Sequence, residues 1–68
     1  MKINPTKLKN LLYEKGITQR ELAQLAGISE SAVFFYAQGK MTPRGKTAKR
    51  IAQVLGCDVK AFIDFDHK

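Results

Sequence analysis

The sequence predicts an all-α fold of five short helices, and three observations support that prediction. Apolar residues recur at the spacing of a buried helix face. Helix breakers divide the chain into pieces of helical length, and they are Pro5, Gly16, Gly27, Gly39, Pro43, Gly45 and Gly56. Strict alternation of apolar and polar residues is absent, so we expect no sheet. With 68 residues, 44% of them hydrophobic, the chain is expected to fold as one domain over residues 1–68.

The first two helices have recognisable start signals. Asn4 is the predicted N-cap of the first helix, and Pro5 occupies its first position, where a missing N–H costs nothing. The buried face of this helix carries leucines at i, i+3 and i+4, namely Leu8, Leu11 and Leu12. The second helix begins at Thr18, three residues before Glu21, which is the spacing of a capping box. Its apolar stripe consists of Leu22, Leu25 and Ala26, and Gly27 ends it.

Caps and periodicity also predict the other three helices. The third begins at Ser29 and ends at Gly39. The fourth extends from about Lys46 to Leu55, and its apolar face consists of Ala48, Ile51, Ala52 and Leu55. The fifth begins at Asp58 as N-cap and packs through Val59, Phe62 and Ile63.

The connection between the second and third helices is the most informative turn in the chain. It is only about three residues long, from Gly27 to Ser29. Ala23, four residues before Gly27, is small enough to let another helix approach closely, and glycine tolerates the positive φ of a sharp turn. Ile28 is expected to be buried between the two helices. This order of residues predicts a helix-turn-helix, a pattern that other pairs of short helices share in part.

The chain resembles a known family over nearly its whole length. The stretch from Thr18 to Lys40, which begins TQRELAQLAGISESAV, closely resembles the Cro/CI-type (XRE) helix-turn-helix regulators of phages and bacteria. The resemblance continues through Thr42-Pro43, IAQVLG at residues 51–56 and Phe62-Ile63. It implies a five-helix, lambda-repressor-like domain that binds double-stranded DNA, usually as a dimer on a two-fold operator. Relatives include repressors, antitoxins and regulators of mobile elements.

The third helix has a face that is not needed for packing against the core of the domain. At about 100° per residue, one arc holds the expected core stripe of Ala32, Val33, Tyr36 and Ala37. The opposite arc holds Glu30, Ser31, Phe34, Phe35 and Gln38. The resemblance implies that this helix, residues 29–38, lies in the major groove and that its base-contacting residues are Ser29, Glu30, Ser31, Phe34 and Phe35.

The chemistry of this face departs from the usual family pattern, in which polar or basic residues fill most positions. Glu30 can accept from cytosine N4, Ser31 can bond several bases, and phenylalanine can pack on thymine methyl groups. Neither Arg nor Lys lies between Glu21 and Gly39, so the common bidentate guanine contact is missing from the helix. We therefore expect a site read through pyrimidine edges, methyl groups and shape. The alternative for Phe34 and Phe35 stays open, since exposed aromatic pairs also mark protein contacts.

A second departure lies at Ala37, where relatives often carry a glutamate just before the turn. An acid there can pair with a basic residue on the first helix, and the facing position in this chain is Leu12. Apolar packing in place of a buried ion pair is often neutral or stabilising. We expect the fold to be unaffected.

The charge of the chain favours a polyanionic partner. The formal net charge is +6, and five cations fall in residues 1–20 and five more in residues 39–50. Residues 21–38 carry two acids and no cation, so two basic blocks flank the predicted reading helix. Gln19 in the first turn of the second helix, with Lys40 and Arg44 after the third, are the predicted phosphate contacts. Weaker candidates are Lys46, Lys49 and Arg50.

Catalysis, metal binding and membrane insertion have little support in the sequence. His67 stands alone near the C-terminus, and Cys57 is expected to pack as a small apolar side chain. One Cys and one His do not make a structural zinc site, and no cofactor or small-molecule ligand is predicted. The single cysteine, the absence of a signal sequence and the absence of a long apolar run favour a cytoplasmic protein.

The expected partners are therefore double-stranded DNA, with a two-fold operator, and a second copy of the chain. A dimer is expected to form through the region of the fifth helix, with Val59, Phe62, Ile63 and Phe65. The competing interpretation is a protein-interaction module, such as an antitoxin or an antirepressor-like partner, that uses the Phe34–Phe35 face.

Overall fold

The computed structural model describes residues 1–65, which form four α-helices, one 3-10 turn and a two-stranded sheet. In chain order the elements are β1 (Lys2–Ile3), α1 (Pro5–Lys15), α2 (Gln19–Ala26), α3 (Glu30–Gln38), α4 (Gly45–Leu55), the 3-10 turn (Val59–Ala61) and β2 (Ile63–Asp64). The all-α prediction is confirmed for the four main helices, and the count of five helices and no sheet is wrong. Among the described helices, none is long and apolar enough to cross a membrane.

The predicted fifth helix is replaced by a single 3-10 turn followed by a strand. Asp58 caps it as expected, because its side chain accepts from the amide of Lys60 at 3.1 Å. The turn stops after three residues, and Ile63 then pairs with Ile3 in an antiparallel sheet with β1. Strands of two residues are too short to show alternation, and their pairing joins the two ends of the described chain. Periodicity in the sequence therefore carried no signal for this sheet.

The helix caps predicted from the sequence are present. Asn4 accepts from the amide of Lys7, and Pro5 occupies the first turn of α1. Thr18 and Glu21 form the complete capping box of α2, with both bonds at 3.0 Å. All four α-helices end at a left-handed glycine.

One apolar core joins the helices and the sheet. It contains Ile3, Leu8, Leu12, Leu22, Ala23, Ala26, Val33, Tyr36, Ala48, Ile51, Ala52, Leu55, Phe62 and Ile63. Leu11 and Ile28 are partly buried against it, so the expected burial of Ile28 between α2 and α3 is only partial. Leu12 and Ala37 are both buried. Their burial agrees with the expectation that apolar side chains stand here in place of the ion pair common in relatives.

Two apolar residues do not lie where the sequence indicated. Leu25 is 65% exposed, because α2 buries the face of Leu22, Ala23 and Ala26, and Leu25 lies about 100° around the helix from its centre. The predicted dimer surface also needs correction. Phe62 is 0% and Ile63 1% exposed, so both belong to the core and only Val59 and Phe65 of that set reach the surface.

Candidate nucleic-acid interface

The turn between α2 and α3 fixes how these two helices pack. Gly27 adopts φ 69°, and the amide of Ile28 donates to the carbonyl of Ala23 at 3.0 Å, which closes the end of α2. Ser29 then caps α3, since its hydroxyl oxygen accepts from the amide of Ala32 at 3.1 Å. The connection is therefore three residues long, as the sequence predicted, and forms a helix-turn-helix.

The face of α3 that points away from the core has the predicted membership. Val33, Tyr36 and Ala37 are buried, and the opposite arc of Glu30, Ser31, Phe34, Phe35 and Gln38 is exposed. Ser29 is also exposed, but its hydroxyl oxygen is engaged in the cap and retains its proton for donation. The exposure of these residues is confirmed, and their contact with bases stays a prediction.

A surface depression joins the N-terminal ends of α2 and α3. It has a volume of about 360 Å³ and is lined by Gln19, Glu30, Ser31 and Phe34. The sequence had assigned Gln19 to phosphate and the other three to bases, and the fold brings all four into one concavity. A carboxylate acceptor, a hydroxyl, an aromatic ring and an amide side chain thus line the same space.

The two phenylalanines of α3 form a pair but occupy different settings. Their ring centroids are 6.0 Å apart with an interplanar angle of 57°, within the range of favourable tilted aromatic contacts. Phe34 is 50% exposed and lines the depression, whereas Phe35 is 37% exposed and does not line it. Of the two phenylalanines, the structure places only Phe34 in the lining of the depression.

The start of α2 offers unpaired amide donors beside this depression. The capping box pairs the amides of Thr18 and Glu21, which leaves those of Gln19 and Arg20 without a partner among residues 1–65. These N–H groups lie at the positive end of the helix dipole, an arrangement that suits an anion such as a phosphate. Arg20 is exposed at this end of α2, and the sequence analysis counted its charge only as part of the basic N-terminal block.

The loop after α3 presents Lys40 and Arg44 on a fixed backbone. Both side chains are exposed, and neither forms an ion pair within residues 1–65. Between them Pro43 is buried, and the hydroxyl of Thr42 accepts from the amide of Ile3 at 3.1 Å. This anchoring by Thr42 was missed by sequence reasoning, since the bond spans 39 residues and leaves no local signal.

Three exposed cations lie on α4. Lys46, Lys49 and Arg50 are exposed at i, i+3 and i+4, so they share one face of the helix. Arg44 is the N-cap residue of α4, and its guanidinium, which can only donate, forms no ion pair within residues 1–65.

The remaining reactive groups do not form a site in the described part of the chain. No group of three His, Cys, Asp or Glu side chains with metal-binding geometry occurs within residues 1–65, and His67 lies outside those residues. Cys57 is half-buried, and burial raises the pKa of its thiol, with Lys15 opposing and Asp58 adding to the shift. A raised pKa lowers the thiolate fraction, which makes Cys57 a poor nucleophile.

Comparison with known proteins agrees with this geometry. A helix-turn-helix family model (HTH_3) matches residues 8–62. An uncharacterised HTH-type transcriptional regulator of Archaeoglobus fulgidus is 30% identical over 63 residues, which is 93% of this chain and 89% of that protein. The family model and this relative are both named for helix-turn-helix regulators, in agreement with the sequence prediction that the chain is not an enzyme.

Two solved structures have a similar fold. The restriction-modification controller protein C.AhdI from Aeromonas hydrophila superposes with a TM-score of 0.79 at 24% identity, covering 84% of this chain and 86% of that one. An HTH_3 family transcriptional regulator from Vibrio cholerae gives a TM-score of 0.75 at 30% identity, covering 84% of this chain but 32% of that protein. The matched family model, the relatives and the helix-turn-helix geometry agree, and the chain belongs to the HTH_3 (XRE) family of helix-turn-helix transcriptional regulators.

Proposed function

We propose that this protein binds double-stranded DNA sequence-specifically, with α3 in the major groove, and acts as a small transcriptional repressor of the phage or mobile-element type. The observation that carries the proposal is the depression lined by Gln19, Glu30, Ser31 and Phe34, which combines a helix N-terminus with an exposed helix face. The proposal treats residues 1–68 as a single DNA-binding domain. It also keeps the cytoplasmic location expected from the sequence.

Phosphate contacts on both sides of α3 supply the affinity in this proposal. Gln19 and the unpaired amides at the start of α2 bind one phosphate, and Lys40 with Arg44 bind the backbone after α3. The support is electrostatic, since residues 21–38 carry no cation while the flanking segments carry ten. Phosphate contacts set the position of the domain, and the central face reads the bases.

In this proposal the residues that contact the bases are Ser29, Glu30, Ser31, Phe34 and Phe35. Glu30 accepts from an amino group on a base edge, Ser29 and Ser31 bond to several bases, and the phenylalanines pack on methyl groups. The lack of Arg and Lys on α3 favours pyrimidine edges over the bidentate guanine contact.

A homodimer on a two-fold operator completes the proposal. Because Phe62 and Ile63 lie in the core, the proposed contact surface consists of Val59, Phe65 and Met1. Extending the antiparallel pairing of Lys2 with Asp64 by one residue pairs Met1 with Phe65. Met1 and Phe65 are both exposed apolar side chains, which supports an interface there. A two-fold dimer of this kind sets its two reading helices about 34 Å apart, one turn of the duplex.

Selection on a random duplex pool at near-physiological salt tests the proposed function. We expect enrichment of a two-fold motif with half-sites about 10 base pairs apart. Phe34→Ala should then lose about 1–3 kcal/mol of discrimination at one position and leave random-duplex binding unchanged. Weak binding without enrichment, or equal losses on specific and random duplexes, would contradict sequence-specific readout by this face.

The second candidate function is a protein-interaction module built on the same face of α3. The exposed Phe34–Phe35 pair favours it, since adjacent exposed aromatics are enriched at protein interfaces. The duplex selection separates the two functions, because a protein-interaction module gives no enriched motif. Phe34 and Phe35 would then form the surface that contacts a protein partner.

A further inference from the structure

We propose that the depression between α2 and α3 recognises 5-methylcytosine in duplex DNA, so that the protein responds to cytosine methylation. The inference rests on the proposed function and names the base that its central pocket takes. It is carried by one juxtaposition, that of the Glu30 carboxylate with the Phe34 ring in a single concavity.

The two side chains are placed to meet neighbouring substituents of one base. Glu30 and Phe34 are one helical turn apart on α3, and side chains at i and i+4 have Cβ atoms about 5–6 Å apart on the same face. In the major groove, a cytosine shows its N4 amino donor beside C5, and thymine shows an O4 acceptor beside a C5-methyl group. Only 5-methylcytosine shows the amino donor and the methyl group together.

The carboxylate selects against the other bases. A carboxylate is an acceptor only, so it is repelled by the O4 of thymine and by the N7 and O6 of guanine. Adenine offers an N6 donor but sets the N7 acceptor next to it and has no methyl group. Within the described residues Glu30 forms no ion pair, so a protein cation does not neutralise it.

The aromatic ring supplies the response to the methyl group. Phe34 is 50% exposed and lines the depression, which leaves apolar surface for a methyl group to cover. The ring of Phe35, with its centroid 6.0 Å away, packs beside it and restricts its orientation. Covering one methyl group on such a surface corresponds to about a fourfold gain in affinity.

The test measures dissociation constants on the duplex that selection enriches, varied at the position that faces Glu30 and Phe34. Four base pairs are compared: cytosine and 5-methylcytosine opposite guanine, then uracil and thymine opposite adenine. Each methyl comparison keeps the pairing partner constant. We expect 5-methylcytosine to bind about three- to fivefold tighter than cytosine, and thymine tighter than uracil by a similar factor. A duplex with N4-methylcytosine should bind more weakly than one with cytosine, because its methyl group replaces a hydrogen of the N4 amino group that donates to Glu30.

Three variants assign the effect to residues. Phe34→Ala should remove the methyl gain in both comparisons, while Tyr13→Ala, an aromatic truncation at an exposed position of α1 outside the proposed DNA contacts, should keep it. Glu30→Gln should keep the methyl gain and lose the preference for cytosine over thymine. All three positions are exposed, so the variants are expected to fold, and thermal melting checks this.

The outcomes separate this inference from the proposed function. Equal or weaker binding of 5-methylcytosine relative to cytosine overturns the inference and leaves the proposed function intact. An enriched motif without cytosine at any position near α3 does the same. Absence of sequence-specific binding to both a cytosine pool and a 5-methylcytosine pool overturns the proposed function and the inference with it.

Discussion

Gly39 ends α3, and replacing it by alanine should destabilise the protein for two separate reasons. Its φ is +76°, in the left-handed region where a Cβ is unfavourable. A Cβ built at Gly39 would also lie 3.1 Å from Cγ of Pro5, closer than the 3.5–4.0 Å of a comfortable carbon contact. Gly27 has a similar φ of +69° but nothing within 4 Å of its Cβ, so Gly27→Ala is a matched control.

The magnitude follows from adding the two effects. Alanine in the left-handed region costs about 1–2 kcal/mol at either site. At Gly39 the contact with the Pro5 ring adds about 1 kcal/mol, at the low end for overpacking because Pro5 is only partly buried. We therefore expect Gly39→Ala to lower the free energy of unfolding by about 2–3 kcal/mol. Its melting temperature should fall about 4–8 °C further than that of Gly27→Ala.

Urea and thermal unfolding followed by circular dichroism measure both variants against the wild type. Equal destabilisation by Gly39→Ala and Gly27→Ala would refute the close approach of α3 to the start of α1. Greater destabilisation by Gly27→Ala would refute the steric reasoning altogether. Neither change touches the exposed face of α3, so duplex selectivity of the folded fraction should match the wild type.

Three further predictions concern the phosphate contacts, the cap of α2 and the buried thiol. Lys40→Ala and Arg44→Ala should each weaken specific and random duplexes alike and reduce the slope of log K against log salt by about 0.9. Thr18→Ala should lower the free energy of unfolding by about 1 kcal/mol, because it removes the capping box that orients the start of α2. Folding raises the pKa of the Cys57 thiol, so stability is full below the unfolded pKa and declines as pH rises through the folded pKa. In Cys57→Ala that part of the decline in alkaline solution should vanish, and native Cys57 should react with iodoacetamide more slowly than the urea-unfolded chain.

Each of these has a result that would count against it. A salt slope unchanged by both cation substitutions would exclude the loop after α3 from the phosphate contacts. Full stability of Thr18→Ala would mean that the cap contributes nothing. Identical pH profiles of the wild type and Cys57→Ala, with equal alkylation rates in native and unfolded protein, would show that Cys57 is not desolvated by folding.

The sequence by itself determined the elements whose signals are local. Asn4, Thr18 and Ser29 cap the helices that they were predicted to cap, because a cap bond reaches only two or three residues along the chain. The exposed face of α3 followed from the 3.6-residue period once Val33 and Tyr36 were assigned to the core. Helix-turn-helix geometry followed from the spacing of Ala23 and Gly27 for the same reason.

Only the tertiary structure decided the features that join distant residues. The pairing of Ile3 with Ile63 turned an expected fifth helix into a strand and took Ile63 out of the expected dimer surface. Packing of α2 against α3 brought Gln19 and Phe34 into the lining of one depression, and Phe35 does not line it. These outcomes depend on contacts between residues far apart in the chain, and such contacts form only when the whole core is assembled.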